Sequence, residues 1–260
     1  AVPQMHALLM DYAKSHGYDR LQSGRLRYVS SGAAPLDPVW KRKAEAFYGI
    51  ALQNGYGMTE STAGIATTLN PIGSADISVG HPLPGVEVWI DETVEGGGDG
   101  MGEVLTRGPH VMAGYYRNPE ETAKMLDAEG WLHTGDLGRI DDQGQLHILG
   151  RSKELIIHGG FNVYPPEVEA ALNEHPSVVQ SAVIGRKTHS GDEEVLAFVQ
   201  TGGTDPIDEA TLKAFVGERL SGYKRPARII LSQNLPAAPT GKILKHRLLS
   251  EFAAELDKTS

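Results

Sequence analysis

Between residues 85 and 149 apolar and polar positions alternate in short runs: Val86-Glu-Val-Trp-Ile90, Gly102-Glu-Val-Leu-Thr-Arg107 and Gln145-Leu-His-Ile-Leu149. A period of two belongs to half-buried strands, and Gly-rich stretches such as Gly96-Gly-Gly-Asp-Gly100 supply the turns between them. One helical stretch interrupts this pattern at about 119–127, where Asn118 is placed to cap, Pro119 to start the helix and Glu121 to complete a capping box. Earlier, residues 27–30 read as a short strand and 38–48 as a helix that Pro38 opens and Gly49 closes, an α/β order of strand, Gly-rich turn and helix. After Gly150 the expected order is strand (154–157), helix (166–174), strand (178–184), strand (194–200), helix (208–220), strand (228–231) and helix (243–256). Leu244, Leu248, Phe252 and Leu256, spaced by four, give the last helix one apolar stripe. The expected fold is mixed. Residues 1–150 are α/β to about residue 80 and β-rich, barrel-like from about 81, and a small α+β domain covers 151–260.

Composition narrows what such a fold could do. With 260 residues, 40% of them hydrophobic, two domains is the expected count. The 24 basic and 33 acidic residues leave a net charge of −9, which argues against a nucleic-acid or anionic-membrane surface. The imbalance lies in residues 1–150, with 11 basic and 19 acidic residues, against 13 and 14 in the remainder. Lys224, Arg225, Arg228, Lys242, Lys245 and Arg247 cluster there, either as a phosphate-facing patch or as a solvated helix face. The chain has no cysteine, hence no disulfide, thiol nucleophile or thiolate metal site. No apolar run approaches the ~18 residues of a membrane span. The cytoplasm is the expected location. The start, Ala1-Val-Pro-Gln-Met-His6, has neither a basic nor a long apolar stretch, so it is expected to be no signal peptide and to begin within a longer protein.

Six short motifs carry the chemistry: Ser30-Ser-Gly-Ala-Ala-Pro35, Gly55-Tyr-Gly-Met-Thr-Glu60, Gly130-Trp-Leu-His-Thr-Gly-Asp136, Gly150-Arg-Ser-Lys-Glu154, His158-Gly-Gly-Phe-Asn-Val-Tyr-Pro165 and Pro239-Thr-Gly-Lys-Ile243. In the second, glycines would let backbone approach a ligand, Tyr56 could offer its ring face to a base, and Thr59 and Glu60 follow with a hydroxyl and a carboxylate; a plain turn with Tyr56 in the core fits the same residues. Asp136 and Arg151 lie fifteen residues apart with two expected strands between them, so a hairpin would bring them near each other. Gly159-Gly160 permits a tight turn into a helix started by proline.

In this order and across nearly the whole chain, the motifs resemble the adenylate-forming enzymes: acyl-CoA and aryl-CoA synthetases, nonribosomal peptide adenylation domains and beetle luciferases. The resemblance implies an ATP-dependent acyl-CoA synthetase acting on a fatty or related carboxylic acid, with ATP/AMP, Mg²⁺ and coenzyme A as its small-molecule partners. It places Gly32, Ala33, Ala34, Asn54, Gly55, Tyr56 and Gly57 around the nucleotide and acyl group, Thr59 at the α-phosphate and Glu60 on Mg²⁺. Asp136 and Arg151 fall to the ribose, and Lys242 becomes the catalytic lysine of adenylation. Lys153 takes the hinge position, where many relatives carry Asp. Gly159, Gly160 and Phe161 line the coenzyme A path.

Such enzymes also carry an upstream Ser/Thr/Gly-rich loop ending in Pro-Lys-Gly, and no such stretch occurs in this chain. The chain is therefore expected to be an inactive carboxy-terminal half. A stand-alone enzyme loading a carrier protein, or a non-catalytic nucleotide- or coenzyme A-binding module, would share many of these residues.

Overall fold

The computed structural model describes residues 1–21, 24–33, 36–188, 191–202, 207–238 and 242–256. The chain divides into two units, Ala1–Ser152 and Lys153–Ser260.

The first unit runs α1 (Pro3–Ser15), β1 (Val29–Gly32), α2 (Pro38–Tyr48), β2 (Leu52–Tyr56), β3 (Ala66–Thr67), β4 (His81–Pro82), β5 (Glu87–Asp91), β6 (Met101–Arg107), α3 (Pro119–Met125), β7 (Leu132–Ile140) and β8 (Leu146–Arg151). Asp37 caps α2 by accepting from the Trp40 N–H at 2.6 Å, and Gly49 closes it in the left-handed conformation. The inner face of α2 carries Ala44, Phe47 and Tyr48 onto Val29 and Leu52, with Met10 and Ala13 of α1 alongside. Lys41 and Glu45 are also buried on α2, 3.7 Å apart. Glu45 accepts the backbone N–H of Leu52 and of Gly73, each at 3.0 Å, and Lys41 donates to the Ser74 carbonyl, so every charge has a partner. This network fixes the start of β2 to the loop that precedes β4. Strands β1 and β2 are parallel, with Ser31 opposite Asn54 and Gly32 opposite Gly55; β3 and β4 extend this sheet antiparallel. Strands β5 to β8 form an antiparallel meander. The Val79 N–H donates to the Leu146 carbonyl and the Leu146 N–H to that of Gly80, and Ile65, Val79, Val104 and Leu146 bury a common core.

The second unit runs β9 (Ile156–His158), β10 (Phe161–Val163), α4 (Pro165–Asn173), β11 (Val178–Lys187), β12 (Glu193–Thr201), α5 (Glu209–Gly217), β13 (Arg228–Ser232), α6 (Lys245–Glu251) and α7 (Ala253–Leu256). Central strand β12 lies antiparallel to β11 and parallel to β13. Its run Val195-Leu-Ala-Phe-Val199 is buried throughout because both faces are covered. Val195, Ala197 and Val199 pack with Val168, Leu172, Leu212 and Val216 of α4 and α5, and Leu196 and Phe198 pack with Leu248, Phe252 and Leu256.

Several expected elements differ in detail: the strand expected over 27–30 is Val29–Gly32, and the helix expected over 208–220 is Glu209–Gly217. Glu154 belongs to a single 3-10 turn, Ser152–Glu154, and the strand expected from 154 starts at Ile156. The helix expected over 243–256 begins at Lys245, with Leu244 ahead of it at φ −89° and ψ 79°, and is divided at Phe252, where the backbone turns to φ −109° and ψ 22°. The Phe252 N–H still reaches the Leu248 carbonyl and the Leu256 N–H that of Phe252, so the apolar stripe continues from Leu248 through Phe252 to Leu256 and leaves out Leu244.

Candidate functional site

Parallel pairing of β1 and β2 brings their carboxyl ends to one edge of the sheet, the edge at which α/β sheets bind ligands. A Cβ on Gly32 would stand 3.1 Å from the Gly55 carbonyl, so the two motif loops leave the sheet in close contact. One on Gly57 would stand 2.2 Å from the Ala63 carbonyl, which leaves no room for any side chain. Ala33, Thr62 and Ala63 hold left-handed φ values of 63°, 49° and 75° in these same loops, a conformation that costs energy without glycine and that gathers where a site demands it. Ala34 and Pro35 lie outside the described residues. The Asn54 side chain is buried, donating to the Ser78 carbonyl at 2.8 Å and accepting from the Gly55 N–H at 3.1 Å. It braces the wall of the site from within.

Thr59 and Glu60 sit in a 3-10 turn, Thr59–Ser61, with Thr59 exposed. The segment from His110 to Tyr115 clamps that turn at three points. The Met112 N–H donates to the Glu60 carbonyl at 2.8 Å, the Thr62 hydroxyl to the His110 carbonyl at 2.8 Å, and the Tyr115 hydroxyl to Glu60 Oε1 at 2.7 Å. The hydrogen bond to Glu60, reinforced by burial, leaves the Tyr115 phenol pushed up to about 12. Glu60 and Thr59 offer hard oxygen donors. Among the described residues no group of three or more His, Cys, Asp or Glu could hold a metal by itself. One carboxylate beside a hydroxyl fits Mg²⁺, which keeps several waters and shares substrate phosphates.

Asp136 and Arg151 are register partners across the β7–β8 hairpin, with Arg151 Nε 3.3 Å from Asp136 Oδ1. The Asp136 side chain is 10% exposed and that of Arg151 57%, so the carboxylate is fixed in the wall and the guanidinium reaches solvent. Tyr56 donates its hydroxyl to Asp136 Oδ2 at 2.6 Å. Burial first, and then the Asp136 charge, raise the Tyr56 pKa well above that of an ordinary phenol, so it remains a donor. Its ring packs on the Ile65–Leu146 core. Tyr56, Asp136 and Arg151 thus form one connected group beside the loops that follow β1 and β2.

The other expected residues belong to the second unit. Lys153 is exposed in its 3-10 turn. Gly159 and Gly160, at φ 58° and 79°, make the two-residue turn between β9 and β10, and Asp192 accepts the Gly159 N–H at 2.9 Å. Phe161 is exposed and stacks on Tyr223 with ring centres 4.8 Å apart. Lys242 is exposed just before α6, and its carbonyl accepts the Ala238 N–H at 2.8 Å; Pro239, Thr240 and Gly241 lie outside the described residues. Sequence reasoning did not single out Tyr115 or Asp192 for positioning roles. Each acts on a residue distant in sequence, Glu60 and Gly159 respectively, and nothing in its own neighbourhood signals it.

The chain matches the family described as AMP-binding enzyme over residues 1–116, and that described as AMP-binding enzyme C-terminal domain over residues 167–242. It is 35% identical to 4-coumarate-CoA ligase 1 of Narcissus pseudonarcissus, an alignment covering 97% of this chain and 48% of that protein. Among solved structures, ATP-bound MatB from Rhodopseudomonas palustris superimposes with a TM-score of 0.80 at 36% identity, covering 97% of this chain and 50% of that one. The o-succinylbenzoate CoA synthetase MenE of Bacillus subtilis, in complex with its acyl-adenylate intermediate, gives a TM-score of 0.81 at 31% identity, covering 95% and 50%. The chain spans about half the length of these proteins. No helix among the described residues is long and apolar enough to cross a membrane.

Proposed function

The chain belongs to the AMP-binding, adenylate-forming enzyme family, and from that premise we propose that it is the second part of a longer, full-length protein that is an acyl-CoA synthetase. The reaction is ATP-dependent activation of a carboxylic acid. A carboxylate oxygen of the acid attacks the α-phosphorus of ATP and the bond to pyrophosphate breaks. The thiol of coenzyme A, losing its proton, then attacks the acyl carbon and AMP leaves with the bonding pair. The observation that carries this reading is the Tyr56–Asp136–Arg151 group at the sheet edge.

In this reading the immobilised Asp136 carboxylate accepts from the ribose hydroxyls, the use that dinucleotide-binding folds make of an acidic residue. Arg151 beside it keeps that carboxylate in place. Gly32, Gly55 and Gly57 keep the backbone edge free of side chains, Ala33 adds only a methyl group, and Asn54 braces it. The Thr59 hydroxyl meets the α-phosphate. Glu60, oriented by Tyr115, would hold Mg²⁺, which supplies charge neutralisation to the phosphates when bound. Lys242 provides a compact positive charge for the α-phosphate and the attacking carboxylate, where charge builds in the transition state. Lys153 is the backbone position that changes conformation between half-reactions, and Gly159, Gly160 and Phe161 serve the coenzyme A step.

The test is acyl-CoA formation by the full-length protein with a panel of acids in which fatty acids form one arm and 4-coumarate another. ATP- and acid-dependent thioester with AMP as coproduct is expected, and no acid-dependent AMP release from any arm overturns the reading. We further propose that the 260-residue chain alone gives no carboxylate-dependent ATP–pyrophosphate exchange, since it contains no Pro-Lys-Gly phosphate loop. Robust exchange by the chain alone would contradict that.

A further inference from the structure

Lys245 is the first residue of α6, and its ammonium is shared by two carboxylates from distant parts of the chain. Nζ lies 2.7 Å from Glu154 Oε2 and 2.9 Å from Glu169 Oε1. Glu169 is itself held, because Oε1 also accepts the Val183 N–H of β11 at 2.8 Å. The contact therefore ties the start of α6 to α4, to the central sheet and to the turn that contains Lys153.

A cation at the first position of a helix opposes the positive end of the helix dipole, and Leu244 ahead of it offers no side-chain cap. Local helix chemistry gives no reason for a lysine here. Burial pulls the ammonium down, but Glu169 and Glu154 more than offset it, so its pKa stands above the ordinary lysine value. A half-buried ionic group of this kind contributes little net stability compared with apolar packing, and its best-attested use is to specify one arrangement. The arrangement specified involves Lys242, three residues upstream. The Leu244 N–H donates to the Pro236 carbonyl and the Ala238 N–H to the Lys242 carbonyl, each at 2.8 Å, so residues 242–244 run pinned against 236–238. Where Lys245 is fixed, the backbone of Lys242 is fixed with it.

We propose that Lys245 is a positioning residue, anchored by Glu154 and Glu169, that holds the Lys242 segment at a set place relative to the first turn of the second unit. The anchoring stands on the geometry alone; its consequence for catalysis rests on the adenylation role of Lys242. A flexible lysine such as Lys242 delivers its charge usefully only when its backbone is placed in advance.

The test has two readouts on Lys245→Met, Lys245→Arg and Glu154→Gln. In the 260-residue chain, Lys245→Met should raise amide hydrogen exchange at Ala238 and Leu244 about tenfold or more while Ala197 in β12 stays unchanged, because only local opening is released. Lys245→Arg should restore most of the protection, and Glu154→Gln, which keeps Glu169, should give an intermediate effect in a protein certain to retain one carboxylate partner. In the full-length protein, Lys245→Met should lower kcat for adenylation about tenfold with KM for ATP near wild type, and Lys245→Arg should recover it. Unchanged exchange at Ala238 and Leu244 in both Lys245→Met and Glu154→Gln, or equal acceleration at Ala197, overturns the anchor. If wild-type full-length protein shows no adenylation, the functional reading fails while the exchange experiment still decides the anchor.

Discussion

The Tyr56 hydroxyl donates to Asp136 at 2.6 Å across 80 residues of sequence. This bond joins the motif that follows β2 to the strand pair carrying Asp136 and Arg151, making one group of two segments that no local pattern connects. Its donor is tied to the core by the ring and its acceptor is fixed in a hairpin, so neither partner has to be ordered when a ligand arrives.

Tyr56→Phe should cost the 260-residue chain about 2 kcal/mol, since hydrogen bonds to charged groups contribute roughly 1.5–3 kcal/mol and Asp136 is mostly buried. Urea unfolding should show a lower midpoint at unchanged slope. An unshifted midpoint would mean that water replaces the phenol without loss.

Two glycines should respond differently to alanine. Gly57→Ala forces a Cβ to 2.2 Å from the Ala63 carbonyl, a clash with backbone that costs about 2 kcal/mol or more. Gly159→Ala meets nothing within 4 Å and suffers only its left-handed φ of 58°, about 1 kcal/mol. Denaturation of the two variants side by side checks the order, and a Gly159→Ala loss equal to or larger than that of Gly57→Ala would refute it.

His6 provides a pH signature. Nε2 faces the Ser30 carbonyl at 3.0 Å and therefore carries the proton, and Nδ1 accepts from the Tyr48 hydroxyl at 2.8 Å. Burial lowers its pKa more than the Ser30 carbonyl raises it, so the folded value lies below the ordinary 6.5. The stabilisation is complete above pH 6.5 and is lost as pH falls through the lower folded value. Melting temperature should decline below pH 6.5, before carboxylates with an ordinary value of 3.8 such as Asp76 contribute, and His6→Gln should flatten that decline. Parallel profiles for wild type and variant would exclude His6 as the cause.

Lys242→Ala in the full-length protein should slow adenylation roughly 10²-fold or more, while coenzyme A transfer from a preformed acyl adenylate changes far less. Single-turnover assays of each half-reaction separate the two, and equal losses in both would assign Lys242 a shared binding role.

Lys153→Pro fixes φ near −65° and removes an amide donor. If this position must change conformation between half-reactions, adenylation persists and thioester formation falls by orders of magnitude at nearly unchanged melting temperature. Near-normal acyl-CoA formation by the folded variant would remove Lys153 from that role.

Elements whose residues alternate or recur with a clear period were legible from sequence alone, because one-sided burial imposes that period. Examples are β5, β6 and α2 with its Pro38 and Gly49 ends, together with the stripe Leu248, Phe252 and Leu256, whereas the Asp37 cap of α2 emerged only with the structure. The six motifs likewise pointed to the family and supplied the residues proposed for the site. Helix α1 was not legible: His6, Met10 and Ala13 face the core while Met5, Leu8, Leu9 and Tyr12 are exposed, so apolar residues lie on both faces and the period disappears. Nor were the partners of the motif residues. A tyrosine hydroxyl, a half-buried lysine and a carboxylate have no periodic signature, and their pairing depends on which segments the packed sheets bring within hydrogen-bond reach. The order of Tyr56 on Asp136, Tyr115 on Glu60 and Lys245 between Glu154 and Glu169 was therefore decided by tertiary structure, since each contact spans 55 to 91 residues or joins separate elements, and desolvation makes an unpaired alternative costly.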